Sequence, residues 1–241
     1  GWNLFGNLAA ITFTQGLNLL LNMFFGPVVN AARGIAVQAQ TAIGQFSSNF
    51  QTALNPQITK SYATGDMEYM HGLIFRSAKF SFFLLLLLSL PVLIETKALL
   101  TLWLKIVPDH TVVFLRIMLC TTWVYAVSNP LITAASATGK IKLYQSVVGG
   151  LLLLILPISY LCLRLGLPAY SVFIVHLVIE ITAQFARLLM LKRMIKLSLR
   201  EYFSKVVWCI FKVTAIALAV PQAVIYCHPQ HGVWNLLMVC L

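Results

Sequence analysis

Residues 73–94, LIFRSAKFSFFLLLLLSLPVLI, decide the fold of this protein. From Phe80 onward the segment carries no charge, and a helix of roughly 20 apolar residues is long enough to cross the hydrocarbon core of a bilayer. Arg76 and Lys79 lie near its start, where long basic side chains can reach the membrane surface. The segment is about twice as long as a barrel strand and does not alternate, so it predicts a membrane-spanning helix.

Apolar runs of similar length occupy most of the remaining chain, which has 241 residues, 60% of them hydrophobic and only 10% charged. A soluble domain is about a quarter charged, so the composition excludes an ordinary water-soluble enzyme. The sequence therefore predicts an all-α polytopic membrane protein. Its predicted spans one to seven cover residues 2–25, 35–55, 73–94, 112–134, 144–165, 170–190 and 206–226, and residues 233–241 begin an eighth.

The basic residues predict the orientation of these spans, because cytoplasmic loops of membrane proteins are enriched in Lys and Arg. With residue 1 in the cytoplasm, eleven of the 17 basic residues fall in inner loops or at their edges and four in outer ones. We therefore interpret the net charge of +11 as a topology signal, and expect no nucleic-acid partner. The chain starts without Met or a signal peptide and stops inside an apolar run, so we expect it to be a fragment of a longer protein.

Two stretches between spans have an interfacial character. Residues 95–107, with Trp103, are predicted to lie at headgroup depth on the outer side. Residues 191–205 carry bases along an apolar stripe. They suit either an amphipathic helix on the anionic inner leaflet or an ordinary solvated linker.

Polar side chains fall on one helical face in each of the first two spans. In span one they are Asn3, Asn7, Gln15, Asn18 and Asn22. In span two they recur every three or four residues, at Gln38, Thr41, Gln45, Ser48, Thr52 and Asn55.

Such polar rows have two interpretations. Amides and hydroxyls can join packed membrane helices through hydrogen bonds, or they can line a hydrated cavity. Dry packing rarely satisfies five or six polar residues along one span, so the cavity interpretation is favoured. Neutral amides and hydroxyls along a wet wall suit a substrate rich in hydroxyl groups, such as a glycan.

His176 and Glu180 lie one turn apart on span six, and Glu180 is an acid deep within a span. The i, i+4 spacing allows the two side chains to share a hydrogen bond, with His176 as the nearest cation. One hypothesis is that the pair takes up and releases a proton that drives transport. The favoured alternative is a hydrogen-bonded pair that fixes span six to a neighbour.

The sequence contains none of the motifs that carry enzyme chemistry. It has no nucleophile elbow, phosphate loop, HExxH motif or paired carboxylates. Its five cysteines form no CxxC pair, so they predict neither a disulfide framework nor a zinc site. We expect no enzyme activity, catalytic residue, metal or cofactor.

Three segments resemble a known family of membrane proteins: GWNLFGN (1–7), NAARGIA (30–36) and SNFQTALNPQITKSYATGD (48–66). They are similar to the bacterial Wzx-like O-antigen and polysaccharide flippases of the multidrug/oligosaccharidyl-lipid/polysaccharide exporter superfamily. NPLITAASATGKIK (129–142) is similar to the family's loop between the fourth and fifth helices of a lobe. The resemblance covers most of the chain and is strongest over residues 1–79.

The resemblance implies a MATE-like fold of two six-helix lobes around a central cavity, lined by the first helices of each lobe. Residues 1–195 would be the second lobe, and 196–241 an extra helix followed by the start of another. The N-terminal lobe would be a missing part of the same chain. The protein would be a multi-pass protein of the bacterial inner membrane, surrounded by membrane lipids.

The implied function is to move an undecaprenyl-pyrophosphate-linked oligosaccharide across that membrane for surface polysaccharide biosynthesis. Arg33 would counter the pyrophosphate, unless it is an interfacial arginine that reaches lipid headgroups. The sugars would be bound by Asn18, Asn22, Gln38, Thr41, Gln45 and Ser48. The alternatives are a multidrug or cation antiporter of the same fold and a non-transporting scaffold of a glycan-assembly complex.

Overall fold

A computed structural model describes residues 2–227, and every regular element within them is a helix. The elements in chain order are α1 (Trp2–Phe25), α2 (Pro27–Ala63), α3 (Met67–Ile94), α4 (Thr96–Leu104), α5 (Thr111–Ala137), α6 (Ile141–Leu153), α7 (Ile155–Arg164), α8 (Ser171–Met194), α9 (Leu199–Tyr202), a π-helical turn (Phe203–Val207) and α10 (Trp208–Cys227). The predicted start of an eighth span lies outside the described residues.

Five helical segments in residues 2–227 are long and apolar enough to cross a membrane, and they confirm the all-α, polytopic membrane class. These segments are Met67–Ile94, Thr111–Ala137, Ile141–Arg164, Ser171–Met194 and Leu199–Ala219. α1 has the bounds predicted for span one. α2 has 37 residues, but its many polar side chains make it less apolar than these five segments, and it is not one of them. That α1 and α2 cross the membrane remains a prediction.

A tight turn joins α2 to α3, and α2 extends beyond predicted span two at both ends. Pro27 occupies its first turn, where a missing N–H costs nothing, and Pro56 lies inside the helix without ending it. The turn at Thr64 and Gly65 leads to Asp66, whose side chain accepts a hydrogen bond from the Tyr69 N–H at 3.0 Å. This cap fixes the start of α3.

Predicted span five is a helix interrupted once, at Leu154. Pro157 explains the position of the break, because a proline ring clashes with the carbonyl four residues earlier, which belongs to Leu153. Residues 95–107 contain α4, with Trp103 exposed near its end.

Residues 191–205 adopt neither of the two conformations that the sequence suggested. α8 continues to Met194, and the chain then packs its apolar side chains into the protein. Ile195 and Leu197 are buried in the same core cluster as Tyr202 and Val206. The apolar stripe is therefore part of the core that fixes α9 and α10 to the remaining helices.

The core has two large clusters, and α5 contributes to both. One cluster includes Leu131 of α5 with Ile74 and Leu191; the other includes Phe114 of α5 with Leu17 and Phe173. Because lipid tails are as apolar as these side chains, dispersion contacts and polar bonds between helices provide much of the association energy. α5 packs broadly on α2, α3 and α8, so it is the central helix of the bundle.

A glycine allows α1 to approach α7 closely. A Cβ atom built on Gly16 would lie 2.5 Å from Cδ2 of Leu156, whereas one on Gly150 would contact nothing within 4 Å. Glycines at membrane-helix interfaces commonly permit such close approach.

Candidate functional site

The polar row predicted on span two forms an exposed surface of α2. Gln38, Thr41, Gln45 and Ser48 are all exposed. Their spacing of three, four and three residues keeps them on one helical face. In residues 2–227 this face is not covered by another helix, so the row is available to water, to a ligand or to another part of the protein.

A groove of about 290 Å³ lies between this face and α5. Thr41, Gln45 and Ser48 line it from α2, and Thr122 and Tyr125 line it from α5. The Tyr125 side chain is 50% exposed, although it lies within a membrane-spanning helix. The groove combines amides and hydroxyls with one accessible aromatic ring.

Sequence reasoning missed the wall that α5 contributes. Thr122 and Tyr125 lie three residues apart within predicted span four, and Asn129, which does not line the groove, follows four residues later. This is the same periodicity that identified the row on α2. The signal was therefore present, but it was weaker because apolar residues dominate the span.

A second polar row on α2 joins it to its neighbours. Gln40 donates hydrogen bonds to the Thr122 hydroxyl at 2.7 Å and to the Met118 carbonyl at 3.3 Å. Ser47 donates to the Ser81 carbonyl of α3 at 3.1 Å, and Gln51 donates to the Ala126 carbonyl of α5 at 2.7 Å. Each bond satisfies a polar group that would be costly in a membrane. α2 thus has an interhelical polar row beside the exposed one.

Arg33 lies near the start of α2, where its side chain contacts α1, and it is only 7% exposed. Its guanidinium donates to the side-chain oxygen of Asn18 and to the Thr14 carbonyl at 3.4 Å, while its Nε has no hydrogen-bond partner among residues 2–227. It therefore does not line the groove. Asn18 is the partner of Arg33, and Asn22 is exposed on α1 and does not line the groove.

Glu180 pairs with Arg187 and not with His176, contrary to the expectation from the sequence. The carboxylate Oε1 of Glu180 accepts a hydrogen bond from Arg187 at 2.7 Å, and the two side chains are almost fully buried. The His176 ring packs edge-on against Phe13, with centroids 4.6 Å apart. The sequence places Arg187 near the cytoplasmic end of span six, among the eleven inner basic residues, but it is 2% exposed within α8.

Arg187 is the centre of a buried polar network that joins four helices. It donates to the Tyr144 hydroxyl of α6 at 3.1 Å and to the Ser128 hydroxyl of α5 at 3.1 Å. Ser128 donates to Gln184 at 2.6 Å, and Gln184 donates to the Tyr202 hydroxyl of α9 at 3.3 Å. The guanidinium neutralises Glu180 and its remaining N–H groups hold the neighbouring helices.

No group of three or more His, Cys, Asp or Glu side chains converges within residues 2–227, so no metal-binding set can be named there. By its helices the chain is a multi-pass all-α membrane protein. No family model, curated protein sequence or solved structure matches it.

Proposed function

We propose that the protein belongs to a transporter that moves a lipid-linked oligosaccharide across the bacterial inner membrane, and that the groove between α2 and α5 contacts the sugars. The observation that carries this proposal is the groove itself, where amides and hydroxyls of α2 remain exposed beside Tyr125 of a membrane-spanning segment. Exposing so many polar groups to lipid would be unfavourable, which favours a hydrated surface.

The chemistry of the groove suits a sugar. Gln45 and Thr41 offer both donors and acceptors, and can therefore exchange hydrogen bonds with water for bonds with sugar hydroxyls. The ring of Tyr125 offers an apolar face beside a polar hydroxyl, which matches the mixed apolar and polar faces of a pyranose. Within the part of the chain that the structure describes, no charged residue lines the groove, so a neutral saccharide fits it better than a drug cation.

The properties of Arg33 support its proposed role in binding the pyrophosphate of the carrier lipid. It is a buried cation whose observed partners, Asn18 and Thr14, are both neutral. A buried guanidinium retains a strong preference for an anion, and its planar fork matches phosphate oxygens. For this contact α1 must move away from α2, so that Asn18 releases Arg33.

The alternatives gain less support. A cation exporter requires carboxylates facing its cavity, whereas the buried acid Glu180 is neutralised by Arg187. In a scaffold without transport activity, the polar rows would be buried between helices and hydrogen-bonded there, as the second row on α2 is. The exposed row on α2 is not buried in this way.

The proposal is tested by removing polar groups from the groove of the full-length protein in its native host. Gln45→Leu and Tyr125→Leu should each reduce surface polysaccharide at normal protein level. The matched controls are Gln57→Leu, an exposed glutamine on α2 outside the groove, and Tyr160→Leu, an exposed tyrosine of α7. Normal polysaccharide in both groove variants, or equal loss in the controls, would contradict the role of the groove.

A further inference from the structure

The residues that line the groove between α2 and α5 differ in burial. The half-buried or buried ones, which we call the groove floor, are Gln40, Ser47, Gln51 and Thr122. The exposed ones form the rim, and they are Thr41, Gln45, Ser48 and Tyr125. A hydrogen-bonding group left unpaired costs more where water has little access, so a mismatch at the floor is more unfavourable than one at the rim. The bonds that the floor already makes therefore bear on which ligands the groove accepts.

The donor groups of the groove floor are directed at the neighbouring helices. The amide nitrogen of Gln40 donates to the Thr122 hydroxyl and to the Met118 carbonyl, and Thr122 donates to the same carbonyl at 2.9 Å. Ser47 and Gln51 also donate to backbone carbonyls of α3 and α5. A carbonyl can only accept, so these bonds fix which end of each glutamine amide is the donor.

The oxygens of the two floor glutamines have no such partners. Within residues 2–227, the side-chain oxygens of Gln40 and Gln51 accept no hydrogen bond. They are nevertheless not among the fully enclosed polar atoms that lack a partner. Each oxygen therefore remains accessible, and the groove is the surface that both residues line. The floor thus offers an occupant mainly hydrogen-bond acceptors.

We propose that the groove floor selects ligands that direct hydrogen-bond donors into it, with the oxygens of Gln40 and Gln51 as the specificity-determining acceptors. This inference rests on the proposed function, and it specifies that free sugar hydroxyls contact the floor. A free hydroxyl donates to an amide oxygen, whereas an O-methylated or O-acetylated position has no hydrogen to donate. A site built to pair a ligand O–H rejects the analogue without it, because the polar groups of the site are then left unpaired.

The test measures how sugars protect a cysteine in the groove. All native cysteines of the full-length protein are replaced and Ser48→Cys is introduced. Its alkylation by N-ethylmaleimide is followed in a polyoxyethylene detergent, which contains no sugar. The probes are methyl β-D-glucopyranoside and its tetra-O-methyl derivative. The glucoside should slow alkylation at an about tenfold lower concentration than the derivative does, which corresponds to about 1.4 kcal/mol, the order of one hydrogen bond.

Variants of the floor test whether the two glutamines cause this preference. Gln40→Met removes one acceptor and should reduce the preference for the glucoside. Gln51→Met provides the same test in a protein that keeps the bonds of Gln40, in case the first variant folds poorly. The matched control is Gln57→Met, which changes an exposed glutamine of α2 outside the groove and should keep the about tenfold preference.

The outcomes separate this inference from the proposed function. Equal protection by the two probes would overturn the inference while leaving sugar binding in the groove intact. An unchanged preference in both floor variants would also overturn it. Protection by methylammonium at the concentration at which the glucoside protects would overturn the assignment to hydroxyls, because the acceptors would then bind cations. Protection by neither probe would contradict the proposed function, and this inference with it.

Discussion

Glu180 and Arg187 carry opposite charges in a region where each would be costly alone. Their direct contact at 2.7 Å lowers this cost, and the bonds from Arg187 to Tyr144 and Ser128 satisfy further N–H groups. Removing one member of such a pair leaves an uncompensated charge, which is typically more harmful than replacing both members by apolar residues.

We therefore predict that Glu180→Gln and Arg187→Met each lower the free energy of unfolding by about 3–5 kcal/mol. The double variant should lose much less than the sum of the two, because it leaves no charge unpaired. Thermal or denaturant unfolding in detergent measures the stability of the two single variants and of the double variant. Additive effects would show that the two side chains do not act as a pair.

Glu180→Gln also tests the hypothesis that His176 and Glu180 couple transport to protons. Since Glu180 has a guanidinium partner, we expect its role to be structural, with export still dependent on the proton gradient in Glu180→Gln molecules that fold. Transport assays at matched protein level check this. Well-folded protein whose export no longer responds to the gradient would instead identify Glu180 as a proton carrier.

Variants of Arg33 test its proposed contact with the pyrophosphate. Arg33→Lys keeps the positive charge but loses the fork that reaches Asn18 and Thr14 together. Arg33→Ala loses both, so surface polysaccharide should fall in a graded manner, with alanine lower than lysine. Normal export by the alanine variant at normal protein level would exclude a role in binding the pyrophosphate.

At the scale of elements, the contact between α2 and α5 depends on polar bonds as well as apolar packing. Gln51 is buried and reaches the Ala126 carbonyl, whereas Gln57 on the same helix is exposed. Gln51→Leu should lower stability by about 1 kcal/mol, the usual range for a hydrogen bond between membrane helices. Gln57→Leu should change unfolding little, and an equal change in the two variants would argue against the bond.

The sequence predicted most helices correctly because uninterrupted apolar length is a local property. It could not assign Arg187, which lies only five residues before Lys192 and therefore looks like a base at the end of a span. Burial of Arg187 depends on Tyr144 and Ser128, which are distant in sequence. The burial of Ile195 and Leu197 could not be predicted either, because an apolar stripe fits a membrane surface and a protein core equally well.

At the scale of the whole molecule, orientation follows from the distribution of basic residues. In a variant with all native cysteines replaced, Asp109→Cys should react with a membrane-impermeant thiol reagent in intact cells. Glu68→Cys should react only after the membrane is opened. Both positions are exposed, between α4 and α5 and at the start of α3 respectively. The reverse pattern of labelling would invert the predicted orientation.

The ion pair within α8 also bears on how the chain enters the membrane during synthesis. Glu180 and Arg187 lie on one helix, two turns apart, so they can meet before α8 contacts any other helix. Each charge alone adds about 2.5–3.5 kcal/mol to the insertion of a helix at its centre. We expect that pairing within the segment reduces this barrier at the translocon, and that the bonds to α5 and α6 form afterwards.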